Sequence, residues 1–488
     1  MKHTEALLKA EKFQQKMEKI AQNDYWRPQY HIAAPANWIN DPNGFCFYKG
    51  EYHLFYQYHP YSSQWGPMHW GHVASKDLVN WKTKPIALAP TDEYDKDGCF
   101  SGSAIEKDNT LYLFYTGHVV LDKENDKDDA QLQTQCVAIS EDGINFKKLE
   151  NNPIINIDSF PEDLNILKEH FRDPKVWKYN DMYYKVVGAQ TTEKTGQALI
   201  YKSEDLLNWE FVNVMAMSTE EENLGFMWEC PNFAEIDNHE VLILSPQGVE
   251  PEGNKFLNLH QSGYFLGKMD YNTGIFEREN DFEMLDYGFD FYAPQIMQDE
   301  KNNRCFAMWE SEMPEQEEGW AGMMSIPRVL EVKNNKVYSL PIPELKKLRK
   351  NNVNYDVNLV QNCILEGING DCYELNTVFD LTKANGFNLK LRVSENEETV
   401  ISYDKNSKIF KLNRDKSGKG VTGEREVKVN LQDEKISLQI FSDYSSLEIF
   451  INGGEYVISS RIYPTQEATG IVFEPMGEIK AKIDFYEI

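Results

Sequence analysis

No stretch of this 488-residue chain approaches the roughly eighteen consecutive apolar residues of a membrane-spanning helix, so none is expected. Cysteine is scarce and scattered: seven residues, Cys46, Cys99, Cys136, Cys230, Cys305, Cys363 and Cys372, with no C-x-x-C pair. An odd, unclustered set argues against a zinc site or a disulfide framework and for buried, reduced thiols in a cytoplasmic protein. Basic residues are outnumbered, 50 Lys and Arg against 78 Asp and Glu, a formal charge of −28. Such a chain repels nucleic acid and anionic membrane surfaces, which leaves a neutral substrate or an anionic one held in a local basic pocket. The first 22 residues are charged throughout and lack the apolar core of a secretory leader. Leu7, Leu8, Phe13, Met17 and Ile20 instead form a helical stripe, predicting a short amphipathic helix docked on the body.

Helical periodicity then almost vanishes, and aromatics rise to 13% of the chain. Two interleaved repeats appear. SKDLVNW (Ser75–Trp81), SEDGINF (Ser140–Phe146) and SEDLLNW (Ser203–Trp209) recur at spacings of 65 and 63 residues. The second series is NDPNGFCFYKGEYHLFYQY from Asn40, FSGSAIEKDNTLYLFYTGH from Phe100, FRDPKVWKYNDMYYKVVGAQ from Phe171, WECPNFAEIDNHEVLILSPQG from Trp228 and YAPQIMQDEKNNRCFAMWES from Tyr292. Each unit opens on a short polar segment and continues as strand, charged turn, strand. Five such units predict an all-β fold with a five-bladed β-propeller over residues 31–340, after a helix and lead-in over 1–30; a jelly roll or sandwich array is the alternative. The proline-punctuated, basic 341–350 reads as a linker. Alternating strands over 351–488, with a turn at Asn452-Gly453-Gly454, predict a C-terminal β-sandwich that packs as support, with sugar binding as its alternative role, and that could join two copies as a homodimer.

First strands of propeller blades line one channel, so residues at one end of them converge. Three acids hold that position: Asp41 in WINDPNG, Asp173 in RDP and Glu229 in ECP. Asp41-Pro42-Asn43-Gly44 reads as a tight turn at the mouth of a hairpin, with Asp41 between the amides of Asn40 and Asn43. Carboxylates crowded in one aromatic-walled pocket suit glycoside hydrolysis, because one must be ionised while another carries a proton. Calcium binding is the competing use, without a D-x-D-x-D ligand run to support it. Glu229, between Trp228 and Cys230-Pro231, has the least polar setting and reads as the acid. Asp41, among amides, reads as the nucleophile, and Arg172 is expected to keep Asp173 ionised.

WINDPNG, FYQYHP, WGPMHWGH, GCFSGSA, FRDPKVW and MWECPNF, with HQSGYF, DYGFDFYAPQ and SSLEIFINGG later, resemble the successive motifs of glycoside hydrolase family 32, the β-fructofuranosidases. The likeness runs from about residue 25 to the end and is strongest to the bacterial branch acting on sucrose 6-phosphate. It implies a propeller–sandwich enzyme without a metal or other cofactor, and retaining double displacement on a terminal β-fructofuranoside: sucrose 6-phosphate, sucrose, short fructans or a sugar acceptor. It implies Asp41 as nucleophile, Glu229 as acid then base, a separation of about 5–5.5 Å between them, and Asp173 holding fructose hydroxyls. It puts Asn40, Gln57, Trp65, Phe100, Ser101, Arg172 and, in the fifth unit, Trp309 in the sugar pocket. A non-catalytic carbohydrate-binding propeller or an arabinanase-like hydrolase is the other reading of this architecture. Glu310, Glu312, Glu315, Glu317 and Glu318, bunched in MWESEMPEQEEGWAG, would oppose a phosphorylated leaving group if they faced it.

Overall fold

The computed structural model describes residues 2–122, 130–299, 303–309 and 314–488; the side chains of Asn303, Met308 and Trp309 lie outside that description. Five antiparallel sheets follow one another along the chain as propeller blades, and a β-sandwich follows them. The blades open with β1 (Asn37–Tyr48), β2 (Gly98–Lys107), β3 (Phe171–Tyr179), β4 (Met227–Ile236) and β5 (Phe291–Gln298). Each of these strands touches the next around a closed ring, the fifth returning to the first. Trp320–Ala321 adds a parallel strand to Asn37–Trp38, so a late segment locks the first blade.

The S-x-D repeat is one turn used three times between the third and fourth strands of a blade. Asp77 accepts from the backbone of Val79 (3.2 Å) and Asn80 (2.9 Å) and from the Asn80 amide (3.0 Å); Asp142 and Asp205 do the same with their counterparts. Its fourth position has positive φ in every copy: Leu78 at 62°, Gly143 at 75° and Leu206 at 76°. Glycine takes that conformation without strain, and the capped turn over-determines it for leucine.

Asp41-Pro42-Asn43-Gly44 is not a turn between strands. It lies within β1, whose pairing register slips between Ile39 and Pro42 and again between Asn43 and Cys46. The first slip recurs in all five blades, at Asn40-Asp41, Ser101, Asp173-Pro174, Cys230-Pro231 and Ala293-Pro294. A bulge inserts residues without partners and re-aims their side chains. Proline suits it, having no N–H for the ladder. Asp173, Cys230 and Ala293, each before proline, have φ of 66°, 46° and 50°. That is a strained region for residues that would otherwise prefer extended backbone there.

The N-terminal helix α1 spans His3–Ala21. Its buried positions are Ala6, Ala10, Gln14 and Ala21, while Leu8 and Ile20 of the expected stripe are exposed. Small side chains at four-residue spacing let the helix backbone approach the body, and Leu7, Phe13 and Met17 flank that contact half-buried. No helix among the described residues is long and apolar enough to cross a membrane.

In the sandwich, β6 (Tyr373–Val393) and β7 (Gly470–Glu487) pair along their length and run through both layers. The first half of β6 pairs with Lys435–Asp443 and the second with Glu398–Asp404, the crossover falling at register slips between Asp380 and Phe387. The sandwich is bolted to the propeller by buried charges. Arg328 reaches Asp286 (2.9 Å), Glu448 (2.5 Å) and Ser459 (2.6 Å), and His31 spans Asp443 (2.7 Å) and Glu448 (3.2 Å). Glu315 of the acidic fifth-unit segment is buried against Arg461 at 3.0 Å, and Glu317 pairs with Lys419 at 2.9 Å. These two acids face the sandwich; Glu310 and Glu312 lie outside the described residues.

Candidate active site

The bulges of the first four blades meet at the floor of a cleft of about 1000 Å³ that Asp41, Asp173 and Glu229 all line. Asp41 Oδ2 accepts from the Ser101 hydroxyl at 2.5 Å, and Oδ1 accepts from the Asn40 amide at 3.2 Å. Asn40 is itself held by the Trp38 indole N–H at 2.8 Å. Asn43, the second expected neighbour, points away and accepts from the Gly102 N–H at 3.1 Å, tying the first blade to the second. Asp173 is fixed through its own N–H to Thr116 (3.0 Å) and accepts the Cys230 N–H (3.0 Å). The Cys230 thiol lies 3.6 Å from both Asp41 Oδ2 and Asp173 Oδ2, which puts those two carboxyls on either side of one sulfur.

Glu229 is the most thoroughly bonded of the three. Arg172 donates to Oε1 through Nε (2.9 Å) and Nη2 (2.7 Å), Gln247 donates to Oε2 at 2.8 Å, and the Tyr292 hydroxyl donates to the same oxygen. Arg172 is braced from behind by His170 Nδ1 (3.0 Å) and Gln133 Oε1 (3.4 Å).

These contacts reverse the protonation expected from sequence neighbours. Burial pushes the Glu229 carboxyl up, but the Arg172 guanidinium and the donors around it outweigh that and hold it below the ordinary value. Burial followed by the charge of Glu229 lifts Asp173 to about 7 against the pull of Arg172. Burial also raises Asp41, opposed chiefly by the Ser101 hydroxyl. Arg172 precedes Asp173 in the chain, yet its fork closes on a carboxylate of the next blade, because the bulge turns Asp173 aside. Glu229 is therefore not in an apolar setting, despite Trp228, Cys230 and Pro231 around it.

The remaining sugar-pocket candidates fall around these acids. Gln57 is buried and donates to the Cys99 carbonyl at 3.0 Å; Phe100 stacks on His118 with centroids 4.0 Å apart. Trp65 stands 57% exposed at the rim, its ring 6.2 Å from Phe100 in edge contact, an apolar platform open to a ligand. The Trp309 backbone ends the strand Asn303–Trp309, and its side chain is outside the described residues.

Sequence reading missed Tyr292, Gln247 and Cys230. Tyr292 opens the fifth repeat unit, one residue before its bulge, the place Glu229 holds in the fourth, and that equivalence was the available signal. Sequence reading raised sugar binding by the sandwich but named none of its residues: Arg414, Gly420, Val421, Thr422 and Arg425 form one wall of the cleft. Chemically, the floor offers two carboxyls that burial raises, Asp41 and Asp173, and a third paired to arginine, under walls that carry both aromatic and cationic side chains.

Residues 31–341 match the family model for the glycosyl hydrolases family 32 N-terminal domain, and residues 344–487 match that for the family 32 C-terminal domain. The chain is 41% identical to the sucrose-6-phosphate hydrolase of Zymomonas mobilis subsp. mobilis, covering 95% of this chain and 92% of that protein. It is 37% identical to a raffinose invertase of Escherichia coli over 93% of this chain and 94% of the relative. Among solved structures it is similar to a β-fructofuranosidase of Bombyx mori, with 34% identity, a TM-score of 0.86, and coverage of 100% of this chain and 99% of that one.

Proposed function

The chain belongs to glycosyl hydrolase family 32, and from that premise we propose that it cleaves sucrose or its 6-phosphate by double displacement, with Asp41 as nucleophile and Glu229 as acid and base. That it is a glycoside hydrolase of fructosides follows from the family; the residue roles and the substrate are the proposal. The observation that carries it is the set of contacts joining Asp41, Asp173 and Glu229, from three separate blades, through Cys230 and Arg172.

In the first step Asp41 attacks C2 of the fructosyl unit. The bond from C2 to the bridging oxygen breaks, and the proton of Glu229 passes to that oxygen. In the second step Glu229, now a carboxylate, takes a proton from water as the water oxygen bonds to C2 and the bond to Asp41 breaks. Two inversions give net retention. Asp173, one bulge away, accepts hydroxyls of the fructose ring.

The proton balance follows from the floor of the cleft. Near neutrality Asp173, lifted to about 7, competes for a proton with Glu229, which Arg172 and its other donors hold below the ordinary value. The reactive form has that proton on Glu229, leaving Asp41 and Asp173 charged. Ser101 and Asn40 favour the ionised form of Asp41 against the burial that raises it. The name of the Zymomonas relative favours sucrose 6-phosphate and that of the Escherichia relative an uncharged sugar. A cleft of about 1000 Å³ also favours short fructo-oligosaccharides as a second substrate class.

The test is a pair of variants. Asp41→Ala should lose several orders of magnitude in kcat on every fructosyl donor while staying folded. Glu229→Ala should lose as much on sucrose but far less on fructosyl fluoride, whose departure needs no proton, and azide should speed its turnover. Near-wild-type activity of either variant on sucrose refutes the assignment.

A further inference from the structure

Two arginines of the sandwich enter the cleft, and no step above uses them. Arg414, on strand Ile409–Lys416, and Arg425, on strand Glu424–Lys428, lie on one face of a hairpin whose register pairs Leu412 with Arg425. Both guanidiniums lie over the Phe289 ring, 3.6 and 4.0 Å from its centroid, and all three residues line the cleft that holds the carboxylates. Arg414 is buried and paired with Asp290 at 3.2 Å. Arg425 makes no ion pair among the described residues. Its fork meets neutral oxygens only: Asn258 Oδ1 at 2.7 and 3.1 Å, the Glu424 carbonyl at 3.0 Å and the Leu257 carbonyl at 3.3 Å. Half-buried beside another guanidinium, Arg425 is pulled down to about 10, by burial first and by Arg414 second. A chain with a charge of −28 has thus kept two guanidiniums beside a single carboxylate, Asp290, in the wall of its cleft.

The pair lies on the leaving-group side. Asn258 and Leu257, which hold Arg425, directly precede His260 after one residue. The His260 ring is 5.6 Å from that of Tyr292, whose hydroxyl donates to Glu229, and His260 bridges to Gln247, the other neutral donor to Glu229. His260 Nδ1 is buried without a hydrogen-bond partner among the described residues. Asp41, Ser101 and Trp65 belong to the first two blades, where the fructosyl unit would sit.

Resting on the reading of Glu229 as the acid, we infer that Arg425, with Arg414 and Phe289 behind it, forms a subsite for the phosphomonoester of a phosphorylated leaving-group sugar. A guanidinium fork matches the oxygens of a phosphate and gains most where it has no carboxylate of its own. A local cation is also what an acidic protein needs to admit a dianionic substrate. The alternative role of Arg425 is mechanical, cross-linking the hairpin to the fourth blade through Asn258, and it would act equally on any substrate.

The experiment measures kcat/KM for sucrose 6-phosphate and sucrose with the wild type, Arg425→Gln and Arg425→Lys. The wild type is expected to prefer the phosphate ester by tenfold or more. Arg425→Gln is expected to cut that preference at least tenfold, about 1.4 kcal/mol, and Arg425→Lys to restore part of it. With sucrose as substrate, glucose 6-phosphate is expected to inhibit the wild type more strongly than inorganic phosphate does, which separates a sugar-phosphate subsite from a site for free phosphate. Equal losses on both substrates, or a wild type without preference for the ester, overturn the subsite and leave the fructosidase reading standing. A wild type that cleaves neither sugar refutes that reading instead.

Discussion

Replacing Tyr292 by phenylalanine removes one hydroxyl from Glu229 Oε2 and leaves its ring in place against His260. That hydroxyl stabilises the carboxylate form, so its loss raises the proton affinity of Glu229. A hydrogen bond to a charged group contributes about 1.5–3 kcal/mol. Gln247 still serves the same oxygen and Arg172 still serves the other, so the lower figure applies. About 1.5 kcal/mol is about one pKa unit. Well above the alkaline limb, the rate on sucrose is proportional to the proton affinity of Glu229 itself, whichever carboxyl holds the shared proton at neutrality. The assay is kcat/KM for sucrose divided by kcat/KM for fructosyl fluoride, across alkaline pH. The division cancels changes in fructosyl binding and in Asp41, because fluoride leaves without a proton. A weaker acid also transfers its proton less readily, so the ratio should rise between about three- and tenfold in Tyr292→Phe. A ratio that is unchanged or lower refutes the claim that Glu229 delivers the proton under the control of Tyr292.

Ser101→Ala removes the hydroxyl that opposes the burial of Asp41, so the Asp41 carboxyl should rise further and the acid limb of kcat/KM should move up by about one pH unit. An unmoved limb would mean that Asp41 need not be ionised. His31→Gln probes the joint between propeller and sandwich. Burial pulls the imidazole down, but its bonds to Asp443 and Glu448 outweigh burial and hold it above the ordinary 6.5. The stability it contributes is therefore full below pH 6.5 and is lost as pH rises through the raised folded value. The variant should cost about 3 kcal/mol near pH 6, where buried Asp443 loses its cation and Glu448 keeps only Arg328, and less at pH 9. Urea midpoints at the two pH values check this, and an equal cost at both contradicts it.

The blades were legible because each repeats a strand pattern, four of the five with a proline near its start, and the three acids because each stands one or two residues before such a proline. The shape around them was less so. D-P-N-G has the composition of a turn, and only the pairing register of β1 with its neighbour shows it to be a bulged strand. Protonation was illegible because it depends on contacts between blades: Arg172 pairs with Glu229, 57 positions away, rather than with its neighbour Asp173. The wall supplied by Arg414 and Arg425 was hidden for the same reason, Arg425 meeting Asn258 across 167 positions. The stripe of α1 was legible in part: Leu7, Phe13 and Met17 flank the contact, Leu8 and Ile20 face outward, and the small Ala6, Ala10 and Ala21 that make the close approach draw no attention in a search for large apolar residues.

The claim on which the mechanism rests is that Asp41 bonds to the sugar. It is tested most directly by quenching Glu229→Ala with acid during turnover of fructosyl fluoride, digesting the protein and weighing the peptides. Without its base the enzyme should accumulate the intermediate, and the peptide containing Trp38–Gly44 should carry one fructosyl residue on Asp41. A fructosyl residue on any other side chain, or turnover with no labelled peptide and an inverted product anomer, would contradict it.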